Sequence, residues 1–127
     1  MTNLVDSSGW IEYFENGIGA AFFAPAIEAT DSLIVPTICL YEVFRRINMA
    51  RNEGAAVDAI SFMVMGRVVN LTQPIAISGG KISTEHKLAL ADSIILATAR
   101  EYQATLWTQD KHFKNIPGVQ YIEKERS

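Results

Sequence analysis

The sequence predicts an α/β fold in which helices flank a central, mostly parallel β-sheet. Short apolar segments of strand length alternate with longer amphipathic segments along the chain. The connections between the apolar segments are too long for tight turns, and parallel strands need long crossovers of this kind. The chain has 127 residues, of which 49% are hydrophobic. These values are typical of one globular domain, predicted to span residues 1–127 as a three-layer sandwich.

The first strand and the first two helices are predicted within residues 1–29. Leu4 and Val5 form a short apolar run that stops at Asp6, where residues that cap helices well begin. Trp10 and the aromatic residues after it therefore belong to a first helix, which the glycines at positions 17 and 19 end. A second helix is expected over residues 20–29, where Pro25 should break it or delay its start.

The second strand is followed by two more helices. Residues 33–35 form an apolar strand, and Thr37 is a suitable N-cap for a helix that reaches Met49. Residues 52–54 break that helix, and a further apolar helix is expected over residues 55–65. These elements repeat the order of strand and helix seen at the start of the chain.

The rest of the chain contains three predicted strands and two predicted helical segments. Residues 68–71 form a strand, and a helical segment starts at Pro74 but should be interrupted by Gly79 and Gly80. A long helix is expected over residues 88–102, with Asp92 in its first turn. The last two strands are predicted over residues 105–108 and 119–122, before a charged tail.

Charge and cysteine content exclude several classes of protein. The formal net charge is -3 with a pI near 5.3, and the apolar content is too high for a disordered chain. The single cysteine, Cys39, cannot form an internal disulfide, which is typical of a reducing compartment. The first residues lack the pattern of a secretory signal, and no apolar run reaches about 18 residues. We therefore expect a cytoplasmic protein with no membrane segment.

Four of the 14 carboxylates are set apart by their surroundings. Asp6 and Asp110 each follow a predicted strand, and the ligand crevice of a parallel sheet lies beyond the carboxyl ends of its strands. Glu42 and Asp92 each interrupt an apolar segment, where an unpaired carboxylate is costly. A net negative charge argues against binding of nucleic acid, since proteins that bind nucleic acid usually carry a basic surface. The argument is weaker if the acids are concentrated in one site, where a bound metal would neutralise them.

Two explanations are open for these acids. In the simpler one, Asp92 caps its helix and Glu42 pairs with Arg45 or Arg46 in the next turn. In the other, the acids converge and bind a hard divalent cation, Mg²⁺ or Mn²⁺, which prefers oxygen ligands. No cluster of His or Cys in the sequence competes for zinc. A pocket of this kind is suited to hydrolysis of phosphodiesters by a metal-activated water.

The acids lie in four segments, residues 4–8, 41–43, 90–99 and 106–113. The most specific part is an acid that opens a helix, followed eighteen positions later by an acid in the pattern Thr-x-Asp-x-x-Phe. Together these segments resemble the PIN-domain ribonucleases, and among them the VapC-like toxins of type II toxin–antitoxin modules. The resemblance covers residues 4 to about 119, although no family motif is recognised in residues 55–87.

The resemblance implies a PIN fold and endoribonuclease activity that depends on Mg²⁺ or Mn²⁺. It also implies a cognate antitoxin that inhibits the enzyme, and a homodimer. By position, Thr108 matches a hydroxyl that supports the fourth acid, and Ser7 is expected to support the first. The implied acidic site consists of Asp6, Glu42, Asp92 and Asp110, of which the first, third and fourth are expected to bind the metal.

Several charged residues near these acids are candidates for other roles. Arg45, Arg46 and Lys111 are possible contacts for RNA phosphates, with solvated surface charge as the alternative. His86 and His112 have no partner that the sequence identifies, and both are expected at the surface.

Two other functions remain open at this stage. One is a PIN-like module that binds RNA or a protein partner without catalysis. The other is a phosphoacceptor domain of the receiver type, which also places acids at strand ends but needs a lysine after a late strand.

Overall fold

The computed structural model describes residues 1–125 and contains one five-stranded sheet in the order β3-β2-β1-β4-β5. All four pairs of neighbouring strands are parallel, as the sequence predicted. The strands are β1 (Asn3–Val5), β2 (Leu33–Pro36), β3 (Arg67–Val69), β4 (Thr105–Thr108) and β5 (Val119–Tyr121). The last two residues of the predicted domain and of its charged tail lie outside the described residues.

Helices occupy the connections between the strands. The α-helices of the described chain are α1 (Ser7–Phe14), α2 (Ala20–Glu28), α3 (Thr37–Ala50), α4 (Glu53–Met63), α5 (Gln73–His86) and α6 (Leu90–Glu101). Short 3₁₀ turns cover Thr30–Ser32 and Lys111–Phe113. Within residues 1–125, no helix is long and apolar enough to cross a bilayer.

The strand order explains why the structure is a three-layer α/β sandwich. The chain moves in one direction from β1 through β2 to β3, then crosses back to place β4 on the other side of β1. Crossovers between parallel strands are almost always right-handed, so this reversal puts α1–α4 and α5–α6 on opposite faces of the sheet. The reversal also opens a crevice between the carboxyl ends of β1 and β4, where parallel sheets bind ligands.

The core lies between the sheet and the inner faces of the helices. β1 and β2 are buried along their whole length, and α6 is buried from Ser93 to Ala99. Trp10, Phe23 and Phe113 are among the largest fully buried side chains. Cys39 is also fully buried, as expected for a small apolar residue.

Two predicted breaks in helices are wrong. Pro25 lies inside α2 without ending it. Its ring and the Ala21 residue one turn earlier are both exposed, so water can solvate the carbonyl that loses its amide partner. α5 runs unbroken through Gly79 and Gly80. Gly79 faces α6 so closely that a Cβ atom there would lie 2.8 Å from Ile94 Cδ1, so the missing side chain allows the two helices to pack.

Three helices begin at the same edge of the sheet. α1 directly follows β1, and α3 directly follows β2, so both start at the carboxyl ends of their strands. α6 leads back to the start of β4 and therefore also begins at that edge. This arrangement brings the first turns of α1, α3 and α6 to the crevice between β1 and β4.

Candidate active site

Asp6 lies at the centre of the crevice because of the register between β1 and β4. Val5 pairs with Trp107, so Asp6 and Thr108 are level with each other at the ends of the two strands. The backbone N–H of Asp6 donates to the carbonyl oxygen of Trp107 at 3.1 Å, which extends the ladder by one step. The side chains of Asp6 and Thr108 therefore meet.

Both carboxylate oxygens of Asp6 accept hydrogen bonds. Oδ1 accepts from the Gly9 N–H at 2.9 Å and from the Ser8 hydroxyl at 2.7 Å, so Asp6 is the N-cap of α1. Oδ2 accepts from the Thr108 hydroxyl at 2.5 Å. Burial nevertheless raises the pKa of Asp6 to about 6, with these hydrogen bonds acting in the opposite direction. The site thus holds a carboxylate whose charge is poorly compensated in the metal-free protein.

Thr108 connects Asp6 to Asp110. Its hydroxyl oxygen accepts the backbone N–H of Asp110 at 2.9 Å while its proton goes to Asp6. The hydroxyl is completely buried, so water does not compete for either bond. Thr108 therefore fixes the relative positions of the two strand ends that carry the acids.

Asp110 starts the 3₁₀ turn that follows β4. Its Oδ1 accepts the backbone N–H of His112 at 2.9 Å, and Nδ1 of the same histidine lies 2.9 Å from that oxygen. His112 is 65% exposed and its Nδ1 lies 3.9 Å from Oδ2 of Asp92. His112 lies at the surface, as expected, but the turn also brings its ring beside Asp110 and Asp92, which the sequence did not indicate.

Asp92 lies in the first turn of α6, as predicted. Its pKa is raised to about 6, first by partial burial and then by the negative charges of Asp110 and Glu42, against a smaller opposing effect of His112. The N-cap of α6 is Ala89, so Asp92 does not cap the helix in the way the simpler explanation required. Its carboxylate is directed to the other acids.

Glu42 is placed by a contact between α1 and α3. The Ser7 hydroxyl donates to its Oε1 at 2.6 Å. Within residues 1–125, no lysine or arginine nitrogen lies within 4.0 Å of any site carboxylate, so the pairing of Glu42 with Arg45 or Arg46 that the simpler explanation required is absent. In this part of the chain, His112 is the one basic side chain that lies within that distance of the acids.

The structure changes the roles of the two supporting hydroxyls. Ser7 was expected to support Asp6, but it donates to Glu42, and Ser8 donates to Asp6 instead. Thr108 does contact Asp110, through its backbone, but its proton is given to Asp6. Helix geometry accounts for the exchange, because consecutive residues at the start of α1 point in different directions.

The acids open into a cleft of about 390 Å³. Arg45, Arg46 and Lys124 line it together with the acids, whereas Lys111 is exposed outside it. Sequence reasoning did not select Lys124, which follows the last strand without a motif. The basic side chains stand at the rim of an acidic floor, an arrangement that can receive a phosphodiester backbone.

The donor atoms of the cleft suit a divalent cation. Asp92, Asp110 and His112 each offer a ligand atom, and these atoms all lie within 4.8 Å of one another. Asp6 Oδ2 accepts one hydrogen bond, from Thr108, and so retains a lone pair for a cation. A cation would relieve both the burial cost at Asp6 and the repulsion at Asp92.

A family model of the PIN domain matches residues 4–119. The chain belongs to the PIN-domain family. This match confirms the resemblance inferred from the four acidic segments, and it excludes the receiver alternative for this fold. No curated protein matches this PIN domain in sequence.

Solved structures of the same fold include toxins of toxin–antitoxin modules. The PIN domain is 29% identical to a chain of a toxin–antitoxin complex from Klebsiella pneumoniae, with a TM-score of 0.77 over 94% of this chain and 96% of that one. VapC20 of Mycobacterium tuberculosis, a Sarcin-Ricin loop cleaving toxin, shares 18% identity and a TM-score of 0.75 over 91% and 95%. VapBC-1 of nontypeable Haemophilus influenzae shares 20% identity and a TM-score of 0.74 over 97% and 98%.

Proposed function

We propose that this PIN domain is a divalent-metal-dependent endoribonuclease and the toxin of a type II toxin–antitoxin module. The observation that carries the proposal is the convergence of Asp6, Glu42, Asp92 and Asp110 in one cleft, two of them with a raised pKa. Acids that repel each other in this way are poor structural elements but good ligands for Mg²⁺ or Mn²⁺. The toxins among the structural neighbours support the biological role.

The side chains of the cleft have different roles in the proposed reaction. Asp6, Asp92 and Asp110 would hold the cation, which supplies an activated water and neutralises charge on the phosphate. Thr108 and Ser8 fix the orientation of the Asp6 carboxylate through hydrogen bonds to its two oxygens.

The remaining polar groups act on the substrate and on the fourth acid. Glu42, whose Oε1 accepts from Ser7, would accept a proton during the reaction. Arg45 and Arg46 would contact the RNA backbone from the rim. Lys111, though outside the cleft, is proposed to contact RNA further along the strand. These contacts are made to phosphates, so they provide affinity and position more than sequence selectivity.

The proposal extends to partners. Structural neighbours of this fold include toxins solved together with their antitoxins. We propose that this chain acts in the cytoplasm as a homodimer and is inhibited by a cognate antitoxin. Analytical ultracentrifugation of the purified chain tests the dimer, and co-purification with the product of an adjacent gene tests the antitoxin.

Cleavage of RNA by a charge-neutral variant tests the enzymatic role. Asp92→Asn keeps the size of the side chain but removes its charge, so we expect a loss of RNA cleavage in Mg²⁺ or Mn²⁺ of at least about a hundredfold. Asp58→Asn, which changes an exposed acid on α4, is the matched control and should cleave as the wild type does. Equal cleavage by Asp92→Asn would contradict the proposal. Stoichiometric RNA binding by wild type without cleavage would favour a silent binding module.

The toxin role needs a cellular test. Expression of the wild-type chain should arrest growth, whereas expression of Asp92→Asn should not. Co-expression of one small neighbouring gene should restore growth. Arrest that persists in the Asp92→Asn strain would separate toxicity from the acidic site and contradict the proposal.

A further inference from the structure

His112 stands closer to the acidic cluster than its place in the sequence suggests. Its Nδ1 lies 2.9 Å from Oδ1 of Asp110 and 3.9 Å from Oδ2 of Asp92. Asp110 also accepts the backbone N–H of His112 at 2.9 Å, so the turn that positions the carboxylate also positions the backbone of the histidine. Nδ1 of His112 is thus part of the cluster of candidate ligand atoms.

We propose that His112 is a direct nitrogen ligand of the metal and shifts the preference of the site from Mg²⁺ toward Mn²⁺ and later transition metals. The proposal rests on the proposed function only in assuming a cation at the acids. It gives His112, which is not one of the four acids, a role in binding the metal. It concerns the identity of the bound metal and makes no statement about the substrate.

Distances between the donor atoms fit this assignment. In an octahedral site with metal–ligand bonds of about 2.1 Å, adjacent ligand atoms are separated by about 3.0 Å. The 2.9 Å between His112 Nδ1 and Asp110 Oδ1 matches that separation. The 3.9 Å to Asp92 Oδ2 needs only a small movement of a ring that is 65% exposed.

The chemistry of the donor decides the metal preference. Mg²⁺ prefers oxygen ligands and loses its water reluctantly, so an imidazole adds little to its binding. Affinity for mixed nitrogen and oxygen sites rises from Mn²⁺ through Co²⁺ to Ni²⁺. Nδ1 binds a metal only when the imidazole is neutral and carries its proton on Nε2, so the metal would occupy the position between Nδ1 and Asp110 that a proton occupies in the hydrogen-bonded form. A PIN domain with this histidine should therefore favour Mn²⁺ over Mg²⁺.

Pulsed electron paramagnetic resonance of bound Mn²⁺ detects the proposed bond directly. Echo-envelope modulation from a coordinated imidazole nitrogen should appear in the wild-type protein loaded with Mn²⁺. The modulation should be lost in His112→Ala and retained in His86→Ala, which removes the other histidine of the chain. A role for His112 as a mere hydrogen-bond partner of Asp110 would give no such modulation in wild type, and that result would overturn the proposal.

Titration calorimetry with the metals alone gives the second readout. We expect His112→Ala to lower the affinity for Mn²⁺ by at least about tenfold, the lower end of the loss seen when even an outer partner of a ligand is removed. Its affinity for Mg²⁺ should change much less, and His86→Ala should change neither. An equal loss for both metals, or no loss, would contradict the proposal. These binding measurements use no RNA, so failure of the nuclease hypothesis would not be confused with failure of this one.

Discussion

The charge on Asp6 should make the metal-free protein less stable as the pH rises. The pKa of Asp6 is raised from 3.8 to about 6. The folded state therefore keeps a proton on this carboxyl at pH values where the unfolded chain has already lost it. The stabilisation is complete below the unfolded pKa and is lost as the pH rises through the folded pKa.

The size of the effect follows from the shift. Over the full range the shift corresponds to about 3 kcal/mol, and between about pH 4.5 and about pH 7 it corresponds to about 2 kcal/mol. Asp6→Asn removes the titration while keeping the shape of the side chain. Its amide oxygen can still accept from Gly9 and Ser8, and its amide nitrogen can donate to Thr108.

Urea denaturation in the presence of a chelator measures the effect. We expect the free energy of unfolding of wild type to fall relative to that of Asp6→Asn by about 2 kcal/mol between about pH 4.5 and about pH 7. The exposed control Asp58→Asn should follow wild type at both pH values. Parallel changes in wild type and Asp6→Asn would refute the reasoning, because they would mean that Asp6 titrates alike in the folded and unfolded states.

Three further predictions concern packing, hydrogen bonding and metal. Thr108→Val should lower the free energy of unfolding by about 2–4 kcal/mol, because it leaves Oδ2 of Asp6 and the backbone N–H of Asp110 without their partner. Thr108→Ser keeps the hydroxyl and should retain most of the stability, and urea denaturation compares the two variants. Gly80→Ala should raise the melting temperature, because no atom lies within 4 Å of the new Cβ, and Gly79→Ala should melt at a lower temperature than Gly80→Ala. Calorimetry measures both variants, and the reverse order of their melting temperatures would contradict the packing of α5 on α6. Excess Mn²⁺ should raise the melting temperature of wild type but not of Asp6→Asn, since a ligand of the native state at about a hundred times its Kd adds about 2.7 kcal/mol.

Sequence patterns were sufficient where they report local geometry. Alternating apolar segments with long connections predicted a parallel sheet, and the acids at the ends of β1 and β4 followed from the direction of parallel strands. Asp92 in the first turn of α6 also follows from its neighbours along the chain. These features depend on residues a few positions apart, so the sequence displays them directly.

Helix continuity was decided by packing. Gly79 and Gly80 have low helix propensity, and the sequence alone predicts a break there. In the structure Gly79 lies against Ile94, and the contact between α5 and α6 outweighs the local preference. A local signal of this kind is misleading whenever the missing side chain serves a close approach of two elements.

The sequence by itself determined the family, the order of the elements and the four acids of the cleft. Only the tertiary structure decided which groups hold them: Ser7 reaches Glu42 across 35 positions of the chain, and Thr108 reaches Asp6 across 102. It also decided that the ring of His112 lies over the acids. Hydrogen bonds of this kind depend on the register of strands and on the rotation of helices about their axes, which segments distant in sequence fix only when they pack together.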